Sequence, residues 1–302
     1  MIDLSVLVVN WNTRDLLAQC VQSVYDTVGG VEFEVIVVDN GSTDGSQAML
    51  RERFPAIHMI ANEENAGFTR ANNQAIGASR GRYVLLLNSD TIVQPGALEA
   101  MVRFADCHPE AGIIGCQLLN ADLSLQLSWA QFPTFWSELW GCNVRKRRST
   151  ADALAYEVDW VGGACLLARR EAIEQVGPLD EGFFMYSEEA DWCFRMVKSG
   201  WKVYYLLGGQ VVHLGGRSTQ QVSDRMLVQL YQSKLRFFGK HYGPFSEGLL
   251  RASLILTSLA KGWGLALWSL LKKVKSPTGH PYGRYWMLAS ELWRGRRVTG
   301  SA

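Results

Sequence analysis

The sequence predicts an α/β fold with an open, mostly parallel central sheet flanked by helices. Three observations carry this. Short aliphatic runs recur through the first ninety residues: "LSVLVV" (4–9), "EVIVVD" (34–39), "IHMIA" (57–61) and "YVLLLN" (83–88). They are continuous rather than alternating, so each strand is covered on both faces, as parallel strands are. Between them, residues 15–25, 46–54 and 69–79 read as helices, and the gaps suit β-α-β crossovers. Finally, three runs end in polar clusters: "NWN" (10–12), "DNGSTDG" (39–45) and "NSD" (88–90). In such sheets ligands sit beyond the carboxyl ends of the strands, so these clusters should face one crevice.

Further along, residues 95–107 predict another helix and "AGIIGCQLL" (111–119) another strand. Residues 120–160 are less regular, and "RKRR" (145–148) marks an exposed loop. "VDWVGGACLLARREAI" (158–173) reads as a strand, a Gly-Gly close approach and a helix start. Residues 188–199 read as a helix ended by Gly200, and "QVVHLGGRS" (210–218) ends an apolar run with His213, two glycines and Arg217.

At 302 residues and 48% hydrophobic content, the chain can bury a sizeable core. The net charge of +1 argues against bulk nucleic-acid binding, but it is unevenly placed. Residues 240–302 hold ten Lys or Arg against two acids, Glu247 and Glu291, so an acidic body carries a basic tail. The six cysteines have no C-x-x-C pair and read as reduced core thiols. The start, "MIDLSVLVVNWN", has no basic leader and only a short apolar run, which predicts a cytoplasmic body.

The chemistry begins at "NSD". A carboxylate at the mouth of a buried strand either caps a turn, sits in water or binds a cation. A divalent ion there would bridge the oxygens of a diphosphate and neutralise the charge that grows as it leaves. "DNGSTDG" is open to two readings, a turn capped by Asp44 or part of a ligand site. In "GFFMYSEEADWCFR" (182–195), Glu188, Glu189 and Asp191 open a helix, where acids are favoured by its dipole. The aromatic stretch before Glu188 and Glu189 would also strip their hydration, which suits a general base. His213 is either a packed residue or a third metal-site candidate, since imidazole plus carboxylate is a common Mn²⁺ donor set.

Taken in order, "VVNWN", "VVDNGSTDGS", "NAGFTRANNQAI", "LLLNSD", "GGACLLARR", "FFMYSEEADWCFR" and "VVHLGGRS" resemble family 2 glycosyltransferases of the GT-A fold, nearest the bacterial rhamnosyltransferase-like branch. The resemblance covers about residues 3–240 and implies a catalytic domain over 1–240 with a helical C-terminal extension over 241–302. It implies that Asn10 and Asn12, then Asp39, Asn40 and Gly41, bind the nucleotide sugar, with Asp39 accepting from the base or ribose. Asn65, Gly67 and Arg70 would lie beside the diphosphate. "NSD" stands at the family's DxD metal motif, so Asn88 and Ser89 would line the donor and Asp90 would hold Mg²⁺ or Mn²⁺. Asn88 departs from a first Asp there. His213 matches a late metal-binding histidine. "EEADW" resembles the segment supplying the base, with Glu189 favoured over Glu188 and Asp191 bracing the site. Trp160, Gly162, Gly163, Ala164 and Trp192 would meet the acceptor sugar.

The implied reaction is an inverting transfer from a nucleotide-diphosphate sugar, dTDP-rhamnose first and UDP-sugars next, to a saccharide or polyprenyl-linked hydroxyl in cell-surface polysaccharide synthesis. A nucleotidyltransferase would show a Gly-rich basic loop after the first strand, which "NWNTRD" lacks. A non-catalytic nucleotide-sugar-binding protein would keep Asp39 and Asp90 with no use for the glutamates. In the tail, residues 249–273 are rich in Leu, Ile, Ala and Trp. Arg251, Ser258, Lys261, Ser269, Lys272 and Lys273 fall within a wedge of roughly 120° at the helical period. That pattern predicts peripheral attachment to the inner leaflet of the cytoplasmic membrane. A helix packed on the body or on a second subunit of a homodimer is one alternative, and a membrane span interrupted by Arg251, Lys261 and Lys272 is another.

Overall fold

A computed structural model describes residues 2–140, 148–149, 154–215, 223–272 and 283–295. Residues 145–147 of the basic run, Cys142 and Arg217 lie outside the described residues. The chain begins with β1 (Leu4–Asn10), α1 (Arg14–Thr27), β2 (Phe33–Asn40), α2 (Ser46–Arg53), β3 (His58–Asn62), α3 (Phe68–Ala78) and β4 (Tyr83–Asn88). Strands β3, β2, β1 and β4 are neighbours in that order and all parallel. Val6 and Val8 enter one apolar cluster and Leu7 the other. The first cluster is shared with α1 and α4 (Ala97–Cys107), the second with α3. A run such as "VLVV" must therefore be apolar at every position, because helices cover both faces.

The second half extends the sheet with mixed polarity. β5 (Thr91–Val93) is followed by β6 (Ala111–Leu119), β7 (Leu125–Gln126), β8 (Trp129–Ala130), α5 (Phe135–Trp140), β9 (Arg148–Ser149), β10 (Ala155–Glu157), β11 (Trp160–Val161) and β12 (Cys165–Arg169). Then come α6 (Arg170–Val176), α7 (Glu188–Lys198) and β13 (Lys202–His213). β12 lies antiparallel between β4 and β6, and β13 runs parallel to β6. The register of β13 slips between Leu206 and Gln210, where Gly208 and Gly209 interrupt it. After the slip, His213 pairs with Thr91, which brings it beside the "NSD" turn.

Among the described residues three further helices follow: α8 (Ser223–Tyr242), α9 (Pro244–Lys272) and α10 (Gly283–Arg294). α8 passes straight through the expected boundary at residue 240 and ends at Gly243, which has φ +89°, ahead of Pro244. It is bound to the body through a third apolar cluster containing Phe183, Ala190, Phe237 and Phe238, joined by Leu250 and Leu254 of α9 and Leu288 and Leu292 of α10. No helix among the described residues is long and apolar enough to cross a membrane. Of the described cysteines, Cys20, Cys116, Cys165 and Cys193 are buried thiols, while Cys107 is exposed rather than in the core.

Candidate active site

The carboxyl ends of β1 and β2 form a dense polar network. Asp39 is fully buried and accepts hydrogen bonds from Asn10 Nδ2 (2.9 Å), the Ser42 amide (3.0 Å) and Gln47 Nε2 (2.9 Å). Asn12, held at φ +52°, accepts from the Thr43 amide at 2.8 Å. Asn40 accepts from Asn62 Nδ2 and donates to the Gly67 carbonyl at 3.3 Å, which ties the end of β2 to the start of α3. Two glycines are required here. At Gly41 (φ +72°) a Cβ would sit 2.9 Å from the Glu63 carbonyl, and at Gly67 (φ +88°) it would strike the Phe184 ring at 2.6 Å. Asn65 Oδ1 accepts from the Gly67 amide at 3.0 Å. Arg70 is exposed and lines a cavity of about 740 Å³ with Phe184, Gln229 and Arg236.

Across the sheet, the "NSD" turn meets β13. Ser89 is buried against Thr13, with hydroxyls 3.0 Å apart. His213 Nε2 lies 3.3 Å from Asp90 Oδ1 and 3.5 Å from Asn88 Nδ2. Its other nitrogen, Nδ1, is 2.6 Å from Gln126 Oε1. The Gln126 amide donates from Nε2 to Asn120 Oδ1, so Oε1 is the acceptor and Nδ1 carries the proton. Nε2 is thus the nitrogen that lies against the Asp90 carboxylate, and imidazole with carboxylate is a common donor set for a divalent cation. Among the described residues no group of three or more His, Cys, Asp or Glu side chains converges. Two protein donors nonetheless suit Mg²⁺ or Mn²⁺, which normally take remaining ligands from substrate phosphates and water. Gln126 lies in the irregular stretch 120–160, and nothing in its sequence marked it.

The third part is the start of α7. Tyr186 (φ +69°) and Ser187 (φ +64°) are successive non-glycine residues in the left-handed region, and they aim the first helical turn. Glu188 is 5% exposed and Glu189 is partly open, and each has a buried Oε2 without a partner. Burial raises both carboxyls. Glu188 is raised well above the ordinary carboxylate range, further helped by the charges of Glu189 and Asp191. Glu189 packs against the Gly162–Gly163 turn, 3.8 Å from the point a Gly163 Cβ would occupy. The next residue, Ala164, accepts from the Asn88 amide at 3.0 Å. One turn therefore touches Glu189 on one side and the "NSD" strand on the other.

Two expected site residues stand elsewhere. Trp192 is fully buried in the second cluster and donates its indole N–H to the Gly177 carbonyl at 3.0 Å, so it offers no face to a sugar. Asp191 is also fully buried and points to α8, accepting from His241 (2.7 Å), Lys240 (2.7 Å) and Arg195 (2.8 Å). It braces α7 and has no place among reacting groups. Trp160 is half-buried, with its indole N–H on the Gln131 carbonyl at 2.8 Å.

An open, mostly parallel sheet flanked by helices, with polar clusters at its carboxyl rim, is the architecture of the GT-A fold. The chain belongs to glycosyl transferase family 2, whose model matches residues 5–177. It is 31% identical over 252 residues, 74% of this chain and 81% of the relative, to an N-acetylglucosaminyl-diphospho-decaprenol L-rhamnosyltransferase of Mycobacterium tuberculosis. It is 25% identical to the low-salt glycan biosynthesis hexosyltransferase Agl10 of Haloferax volcanii, over 90% of this chain and 87% of the relative. Among solved structures, the fold matches a mannosyltransferase of Pyrobaculum calidifontis in complex with GDP-Man and Mn²⁺, with TM-score 0.57, 16% identity, and coverage of 96% of this chain and 84% of that one.

Proposed function

We propose that this glycosyltransferase moves rhamnose, from dTDP-rhamnose, to a hydroxyl of a saccharide or polyprenyl-linked acceptor in cell-surface polysaccharide synthesis, with inversion at the anomeric carbon. The observation that carries the reading is Glu189, an acid with an unpartnered oxygen, packed on the turn that also holds the "NSD" strand. The rhamnosyltransferase relative supports the choice of donor and acceptor.

In this reading Glu189 takes the proton of the acceptor hydroxyl as its oxygen bonds to the anomeric carbon. The bond to the nucleoside diphosphate breaks on the opposite face. Burial suits Glu189 to the task, because a raised carboxyl holds a proton more firmly than an exposed one. Glu188 beside it is also raised, by burial first and then by the charges of Glu189 and Asp191. Asp90 and His213 would hold Mg²⁺ or Mn²⁺, which when bound neutralises charge on the leaving diphosphate. Asn10, Asp39 and Asn40 set the nucleotide edge, and Trp160 with Gly162 to Ala164 sets the acceptor edge. The basic tail fits a protein peripheral to the cytoplasmic membrane.

The test is Glu189→Gln assayed for transfer and for nucleotide-sugar binding. Binding, read as the rise in melting temperature with dTDP-rhamnose and UDP-sugars, should persist while turnover falls about 10²–10⁴-fold. Undiminished transfer refutes the base, and a product with retained configuration refutes the single displacement.

A further inference from the structure

α9 is inside out. Phe245, Leu249, Leu256, Trp263 and Leu267 are all exposed, Phe245 at 82% and Trp263 at 67%. At 100° per residue these five fall within about 40° of one another and extend roughly 33 Å along the helix. The opposite side, expected from sequence to face solvent, turns inward in part. Ser258 is buried, Gly262 abuts the Trp286 indole, and Arg251 donates to Glu247 and to the Leu292 carbonyl of α10. Lys261 alone of the described basic positions there keeps to water. Folding has thus satisfied the polar side internally and left a straight apolar stripe uncovered, which single scattered surface apolars would not produce.

We infer that this stripe is the docking face for an anionic lipid bilayer, with α9 lying in the plane of the leaflet. Charge selects the occupant. From residue 261 onward the chain has eight Lys or Arg and one acid, Glu291, and the described cations Lys261, Arg284 and Arg294 are exposed. That surplus is attracted to acidic headgroups and repels a second copy of itself. A helical partner would also require charged residues flanking the stripe to set register, and the flanks are Gly248, Ala252, Ser253, Ala260 and Gly264. Exposed indoles belong at the headgroup boundary, where an apolar ring and a polar N–H are both satisfied.

The stripe is continuous with the acceptor side of the cleft. α5 packs on α9 and adds exposed Trp136 and Trp140. The segment leading into α5 is fixed to the site by Trp160 on the Gln131 carbonyl and by the Phe132 amide on Asp159. Its other side is held by Tyr242 donating to the Pro133 carbonyl and Lys234 to Glu138. Resting on the proposed transfer to a lipid-linked acceptor, the lipid end of that acceptor enters along α5 from the leaflet.

Co-sedimentation of the full chain with phosphatidylcholine vesicles and with mixed phosphatidylcholine–phosphatidylglycerol vesicles tests the docking face without any sugar substrate. The wild type should pellet with the mixed vesicles, less with the neutral ones, and less as salt rises. Leu256→Glu with Trp263→Glu, both at exposed positions, should cut partitioning at least tenfold with no loss of melting temperature. Wild type left in the supernatant with both vesicles overturns the inference, as does unchanged partitioning of the variant. So does a wild-type dimer by light scattering that the same substitutions make monomeric, since a second copy would then own the stripe. None of these outcomes depends on glycosyl transfer, so failure here and failure of the proposed reaction are separable.

Discussion

Replacing Glu188 by Gln should stabilise the protein at alkaline pH while impairing transfer. The carboxyl is buried, its Oε2 has no partner, and burial with the Glu189 charge raises its affinity for protons in the folded state. A raised folded value means that the folded chain holds a proton the unfolded chain has released. Wild-type stability from this group is therefore full below the unfolded carboxyl value, about 4.3, and declines as pH climbs toward the raised folded value. Leaving a buried polar group without a partner costs about 1–3 kcal/mol, and more if charged. Gln cannot ionise, so at high pH the variant should gain about that amount, roughly 2–6 °C in melting temperature for a chain of this size. Melting both proteins by scanning calorimetry from about pH 4 to pH 9 isolates the effect, because any constant packing difference cancels. A melting-temperature gap that stays flat across that range refutes the account of Glu188 as a desolvated acid.

Other changes probe neighbouring links. Asp191→Asn should cost about 1–3 kcal/mol, because it removes the buried charge that accepts from His241, Lys240 and Arg195, although Lys240 keeps Asp180 and Arg195 keeps the Val176 and Pro178 carbonyls, and denaturant melts would show it. Burial acts to raise Asp191, but the bonds from His241, Lys240 and Arg195 outweigh it and hold the carboxyl low, so its stabilisation is present above about pH 3.9 and is lost as pH falls through the folded value. Gln126→Leu frees Nδ1 of His213 and should weaken Mn²⁺ affinity about 10–100-fold, measured by Mn²⁺ electron paramagnetic resonance with the nucleoside diphosphate present. Gly115→Ala places a methyl 2.7 Å from the Val161 Cβ, which should destabilise by about 1–3 kcal/mol and raise the acceptor KM by shifting adjacent Trp160.

The first half of the fold was legible because its rules are local. "YVLLLN" and "AGIIGCQLL" become β4 and β6 at the expected residues, and β1 to β3 agree within one residue at each end, since a strand covered on both faces must be apolar throughout. β13 was less legible: only its last residues stood out, because Gly208 and Gly209 break its pattern where the register slips. α8 escaped notice in sequence, since its apolar positions answer to Phe183 and Ala190, far away in the chain. In the site, strand ends announced Asp39 and Asp90, but Gln126 is set by a two-residue strand in an irregular stretch and reveals its use only through His213. Trp192 misled because composition cannot say which way a helix turns. The same limit applied to α9, whose polar wedge was correctly spaced yet points partly inward.

Two features that local rules disfavour meet at the start of α7. Tyr186 and Ser187 are successive non-glycine residues at positive φ, each costing on the order of 1–3 kcal/mol relative to relaxed backbone. They deliver two glutamates, each with a buried Oε2 that finds no donor, onto a turn that also holds the strand bearing Asp90, whose Oδ1 lies 3.3 Å from His213 Nε2. Two other buried acids are matched, Asp191 with three donors and Asp39 with three. A fold that can satisfy a fully buried Asp191 had ordinary means to satisfy Glu188 and Glu189 as well. That it does not, in the turn that links both halves of the cleft, is what the proposed role of Glu189, as the base that takes the acceptor's proton, accounts for.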